Sequence, residues 1–163
     1  MNTNQILWSD QNTQSDELEQ VHFTSEEQII LKGNALSEFE FGASMRLRHT
    51  EEAEAPEFGI LLQYAATERL RVQFLKNSES WKLAVTSEGI APVINHVLSL
   101  PDSFKAEQWH TLSMTQQAEQ IQLYLDEEHV LVISEAARIA QQGLLVHNAA
   151  ADFAGIWQKE LHA

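Results

Sequence analysis

The run Glu38–Arg48, EFEFGASMRLR, decides the fold class. Its apolar residues Phe39, Phe41, Ala43, Met45 and Leu47 alternate without a break against Glu38, Glu40, Gly42, Ser44, Arg46 and Arg48. A helix would scatter the apolar positions around its circumference, whereas an extended strand sets them all on one face and the polar set on the other. The pattern predicts a long strand with one buried side and one side facing water.

Moving outward, the same period of two returns in Arg69–Phe74, RLRVQF, with Leu70, Val72 and Phe74 on the inner face. It recurs at Trp81, Leu83 and Val85, and again at Ile121, Leu123 and Leu125. Gly59–Tyr64, GILLQY, is short and nearly all apolar, as expected of a strand covered on both faces near the centre of a sheet. Polar segments separate these runs: HTEEAEAPE at 49–57, AATE at 65–68, KNSES at 76–80 and TSEG at 86–89. Each is a hairpin-sized gap rich in turn-forming residues. Short strands spaced by turns, without amphipathic helices between them, predict an antiparallel sandwich or barrel rather than a βαβ fold. Two segments read either way. SDELEQVHF at 15–23 fits a short helix or an edge strand, and SEAARIAQQ at 134–142 carries a Ser134 cap and a Gly143 stop that suit a helical turn.

With 163 residues, 44% of them hydrophobic, the chain fits one domain over 1–163 with its own core. Twenty-four acids against ten bases give a formal charge of −14, and that field repels phosphate backbones and anionic headgroups. Nucleic acid and membrane surfaces are excluded as partners on this ground. The absence of cysteine removes disulfides, thiolate zinc sites and cysteine nucleophiles together. The first residues, MNTNQILWSDQNTQSDELEQ, lack the basic and apolar regions of a secretory signal, and no run approaches the ~20 apolar residues of a membrane span. A cytoplasmic protein is expected, or a module excised from a larger one.

The segment LPDSFKAEQWHTLSMTQQAEQIQLYLDEEHVL, through Leu100, Pro101, Phe104, Trp109, His110, Leu112, Tyr124, Leu125 and Asp126, resembles a recurrent piece of the concanavalin A-like lectin/glucanase superfamily, which includes laminin-G-like modules. Upstream, FEFGASMRL, FGILLQY and RLRVQF resemble the strand order of accessory β-sandwiches attached to bacterial glycoside hydrolases. Downstream, GLLVHNAAADFAGIWQKEL resembles their closing strands, which return the chain beside its N-terminus. The resemblance covers 35–161 and implies a two-sheet antiparallel jelly roll of the concanavalin-like kind. It implies a module of carbohydrate metabolism that binds glycan on a concave face or packs against a hydrolase domain. The family hairpin carries Asp-Gly; here Asp126 is followed by Glu127 and Glu128, which predicts a longer turn with solvated acids.

The candidate chemistry is sparse. The glucanases of that superfamily use carboxylates at alternate strand positions, and no such array occurs; Glu38 and Glu40 read as a solvated outer face. No nucleophile elbow, His-Glu-X-X-His helix or EF-hand loop is present, and His110, His129 and His147 stand apart along the chain as structural residues. No cofactor is called for, calcium being the ion that Asp and Glu oxygens would suit. A sugar site would rest on aromatics, because saccharide C–H faces stack on Trp and Tyr. Its candidates are Tyr64, Trp81 and Tyr124. Trp81 and Trp109 lie in alternating runs and are also expected to fill the core, and Trp8 and Trp157 to meet where the first and last strands pair. The chain reads as a non-catalytic glycan-binding protein. A glycoside hydrolase with an unrecognised carboxylate pair and a protein-interaction or homodimer module are the alternatives.

Overall fold

The computed structural model describes residues 13–14, 19–23, 28–49, 55–77, 80–91, 93–134 and 139–161, the side chains at 13–33, 49 and 77 excepted. The described residues contain no helix. Their strands are β1 (Thr13–Gln14), β2 (Glu19–Phe23), β3 (Gln28–Leu36), β4 (Phe39–His49), β5 (Glu57–Ala65), β6 (Glu68–Asn77), β7 (Ser80–Glu88), β8 (Asn95–Ser99), β9 (His110–Gln117), β10 (Gln120–Leu125), β11 (Glu128–Ile133), β12 (Ala140–His147) and β13 (Ala149–Glu160). A seven-stranded sheet runs β1-β13-β4-β9-β10-β11 with β2 also on β13, and a six-stranded sheet runs β3-β12-β5-β6-β7-β8. The pairings are antiparallel, so the architecture is the all-β two-sheet sandwich that the alternation predicts.

The inner faces follow the period of two. Phe39, Phe41, Ala43, Met45 and Leu47 of β4 share one core with Phe58, Ile60 and Leu62 of β5 and with Leu70, Val72 and Phe74 of β6. Removing these side chains from water, at roughly 25 cal/mol per Å² of apolar surface, is what drives the sheets together. β5 lies inside the six-stranded sheet, and Leu61 on its outward face is buried as well, so GILLQY is covered on both sides as its composition implies. The first and last strands do pair: β1 and β2 both lie against β13. The chain passes from one sheet to the other through a single residue between β12 and β13, Asn148, whose φ of 56 is the left-handed conformation that asparagine tolerates best among side-chain-bearing residues.

Of the two ambiguous segments, Glu19–Phe23 is the edge strand β2, while 15–18 lie outside the described residues. The helical turn expected through Gln142 is not formed at its end, because Ala140–Gln142 already belong to β12 and pair with β5 and β3. Residues 135–138 lie outside the described residues. The longer hairpin expected after Tyr124 is also corrected. Asp126 and Glu127 alone make the bend, with φ of 52 and 72, and Glu128 and His129 are already in β11. Positive φ at both central residues is the type I′ geometry that matches strand twist, and here the match outweighs the cost of having no glycine. Asp126 offsets part of that cost. Its Oδ1 accepts a hydrogen bond from the Thr111 backbone N at 2.8 Å and its Oδ2 lies 2.9 Å from His110 Nδ1.

Candidate functional site

The sandwich has two outward faces, and their chemistry differs. On the seven-stranded sheet the register sets Trp157, Gly42, Ser113 and Tyr124 side by side on β13, β4, β9 and β10. With strands ~4.8 Å apart, the row spans roughly 14 Å. The Trp157 indole lies on Gly42: a Cβ there would fall 2.2 Å from Trp157 Cη2. Glycine at this position is what leaves room for the indole. Tyr124 closes the other end, its ring edge-on to His129 at 5.4 Å and its hydroxyl 3.3 Å from Gln122 Oε1. Between the two aromatics the floor is small and polar. Ser113 belongs to the row itself, and beside it Ser44 Oγ and Thr111 Oγ1 are 2.8 Å apart.

Trp157 faces outward because of a bulge. Ala154 pairs with Ser44 and Trp157 with Gly42, so β13 carries one extra residue over this interval, and Gly155 within it has φ of 58. An inserted residue reverses the alternation downstream, placing Ile156 in the core and Trp157 on the surface. A glycine inside a strand-like run was the sequence signal for that bulge. Along the same face, Trp109 precedes β9 and is 41% exposed, with the Arg46 guanidinium 4.6 Å from its ring centre. The expectation that Trp109 fills the core is corrected. Its neighbour His110 takes the inward position, stacked on Phe104 at 4.4 Å, and parity then turns Trp109 out.

The sequence candidates are not brought together. Tyr64 and Trp81 pack against the core, Trp81 edge-on to Phe58 at 6.1 Å, whereas Tyr124 stands on the outer face of the other sheet. Trp8 lies outside the described residues. His110, the first residue of β9, is held on both sides, by Asp126 of the β10–β11 turn through Nδ1 and by the Lys105 carbonyl 2.8 Å from Nε2. Among the described residues no three His, Asp or Glu side chains gather to hold a metal ion.

The outer face of the six-stranded sheet presents long polar side chains bonded to one another. Glu88 bridges Arg69 (3.2 Å) and Arg71 (3.3 Å), and Gln73 Nε2 donates to Glu57 Oε1 at 3.0 Å. Lys82 Nζ donates to Ser99 Oγ at 3.1 Å. Leu61, Leu145 and Ala84 are buried among these residues, outside the main core.

No protein-family model matches the sequence, and no curated protein matches it. The fold, however, is shared with solved structures. The carbohydrate-binding module CBM66 from Bacillus subtilis aligns over 94% of this chain and 100% of its own, with a TM-score of 0.70 at 14% identity. A xylan beta-1,4-xylosidase from Bacillus halodurans C-125 aligns over 86% of this chain and 32% of its own, with a TM-score of 0.65 at 11% identity. The laminarinase catalytic domain from Thermotoga maritima MSB8 aligns over 83% of this chain and 69% of its own, with a TM-score of 0.60 at 10% identity. The chain thus spans about a third of the xylosidase it resembles. The fold shared with these structures is the two-sheet antiparallel β-sandwich.

Proposed function

We propose that this chain is a non-catalytic carbohydrate-binding β-sandwich whose ligand lies across the outer face of the seven-stranded sheet. The observation that carries the reading is the row Trp157–Gly42–Ser113–Tyr124: two aromatics at the ends of a floor of small polar residues. A pyranose ring has apolar C–H faces and an equatorial belt of hydroxyls, and aromatic walls with hydroxyl-bearing side chains between them complement both. The likeness to a carbohydrate-binding module over 94% of this chain and all of that one agrees with this reading. The six-stranded sheet offers no Trp, Tyr or Phe on its outward face among the described residues, and its polar side chains already bond one another.

The acids of the six-stranded sheet and the buried acid of the other do not make the pair that hydrolysis needs. Glycosidases set two of them about 5–9.5 Å apart. On the six-stranded sheet Glu57 pairs with Leu75 and Glu88 with Arg69. Those partners are six positions apart on β6, or roughly 20 Å at ~3.3 Å per residue. On the seven-stranded sheet Asp152 is buried and engaged by Arg46.

Titration with a panel of soluble polysaccharides that includes xylan and laminarin, followed by calorimetry and tryptophan fluorescence, tests the reading. The expected result is saturable binding to at least one of them, no release of reducing sugar, and binding weakened about tenfold in Trp157→Ala. Release of reducing sugar that disappears when one carboxylate is neutralised would establish the enzyme alternative instead, and no binding across the panel overturns the proposal.

A further inference from the structure

Asp152 is fully buried, yet it sits on the outward face of the seven-stranded sheet. A carboxylate taken out of water is costly unless cations and hydrogen bonds compensate it. Arg46 Nε donates to Asp152 Oδ2 at 2.9 Å, and Arg48 Nε lies 3.3 Å from Oδ1. Both arginines converge on one carboxylate because β4 carries an extra residue there: Leu47 pairs with Ala151 and His49 with Ala150. Contact through Nε turns the far edge of each guanidinium away from Asp152, and the arginine side chains are 36% and 45% exposed. The Arg46 guanidinium carbon lies over the Trp109 ring, 4.6 Å from its centroid. Arg46 is thereby fixed at one edge by an anion and against an indole, so little rotamer freedom remains to be lost when a ligand binds.

This is an anion-recognising pair set beside an exposed aromatic. It stands four positions from Gly42 along β4, or roughly 13 Å from the Trp157–Tyr124 row on the same face. We propose that Arg46 and Arg48, with Trp109, form a subsite for the carboxylate of a uronic acid carried by an otherwise neutral glycan; the inference rests on the glycan-binding reading of this face. A planar carboxylate matches the edge of a guanidinium, and the indole takes the sugar ring that bears it. The chain's charge of −14 decides between sparse and dense acids. A polymer with a charge on every residue meets that repulsion along its whole length, whereas a pendant uronate meets it once.

Glucuronate, glucose and acetate are titrated separately into the protein while the Trp109 indole N–H and the Arg46 Nε–H are followed by NMR. Glucuronate is expected to shift both signals saturably and to bind at least about tenfold tighter than glucose or acetate, the margin expected of a charge-assisted bidentate contact. Arg46→Lys keeps a countercharge beside Asp152 and is expected to weaken glucuronate about tenfold, as is Trp109→Leu. An equal response to glucose or acetate, or no response at Trp109, overturns the inference. The polysaccharide panel judges the general reading through Trp157. Binding in the panel without a glucuronate response at Trp109 removes this subsite alone, and silence in both removes the two together.

Discussion

The two outward faces come from strands of the same alternating kind, yet they differ in what they leave for a ligand. On the six-stranded sheet the outward positions of β6 hold Arg69, Arg71 and Gln73, whose long side chains reach the neighbouring strands and bond Glu88 and Glu57. On the seven-stranded sheet the matching positions of β4 and β9 hold Gly42, Ser44, Thr111 and Ser113, too short to cover the sheet. The aromatics that border them, Trp157, Tyr124 and Trp109, therefore stand over a shallow floor. The lesson is that side-chain length on the outward half of the alternation, more than polarity, separates a closed face from an open one.

The two glycines at the strand centres give the sharpest way to break this comparison. A Cβ at Gly59 would lie 2.1 Å from the Val72 backbone oxygen and 2.6 Å from Gln73 Cα, and backbone cannot step aside. Gly59→Val is expected to cost about 3 kcal/mol or more in chemical denaturation, by overpacking between paired strands. At Gly42 the two nearest atoms belong to the Trp157 side chain, which can swing away, and the third is Ser113 Cβ at 2.7 Å on the paired strand, which must shift with its backbone. Gly42→Ala is expected to cost less, about 1–2 kcal/mol of stability, while displacing the indole and weakening glycan binding about tenfold. Equal destabilisation by the two substitutions would mean that the faces are built alike.

Next in size is the ligand effect. Trp157→Ala and Tyr124→Ala are each expected to weaken glycan binding about tenfold, or ~1.4 kcal/mol, with the melting temperature little changed. Glu88→Gln, on the other face, removes the acid shared by Arg69 and Arg71 at a residue whose side chain is 52% exposed. Its expected cost is under about 1 kcal/mol, smaller at high salt, with glycan affinity unchanged. Loss of binding in Glu88→Gln would move the ligand to the six-stranded sheet. The smallest effect is expected at the rim of the aromatic face. Glu127→Gly relieves a φ of 72 at the β10–β11 turn and should raise stability by roughly 0.5 kcal/mol, read as a shift in denaturation midpoint without a change in binding.

How much of this was legible beforehand varies by residue. The inward set of β4, from Phe39 to Leu47, is read directly from the alternation, and so are Leu70, Val72 and Phe74. Tyr124 was a candidate on its chemistry and stands on the open face, while Tyr64 and Trp81, equally good candidates by type, pack against the core. Parity separates two of these fates, since Trp81 is in phase with the inward Leu83 and Val85 while Tyr124 is out of phase with Ile121 and Leu123; Tyr64 sits in the nearly all-apolar run GILLQY, where the pattern alone does not choose a face. Trp157 and Trp109 were harder still. The first is turned outward by the bulge at Gly155, and the second by the inward seat of His110 against Phe104 and Asp126.

The sequence by itself determined that strands would form, where most of them lie and which side chains in each share a face, because the period of two is a property of the extended backbone alone. It also determined the sign of the long-range field, since charge adds without regard to fold. Only the tertiary structure decided which strands became neighbours, and with that the meeting of Trp157 and Tyr124 across Gly42 and Ser113 and of Arg46 and Arg48 on Asp152. Register is set by packing the two sheets against each other. A one-residue bulge is enough to exchange the inner face for the outer, so a row of side chains assembled from four strands is not contained in any one of them.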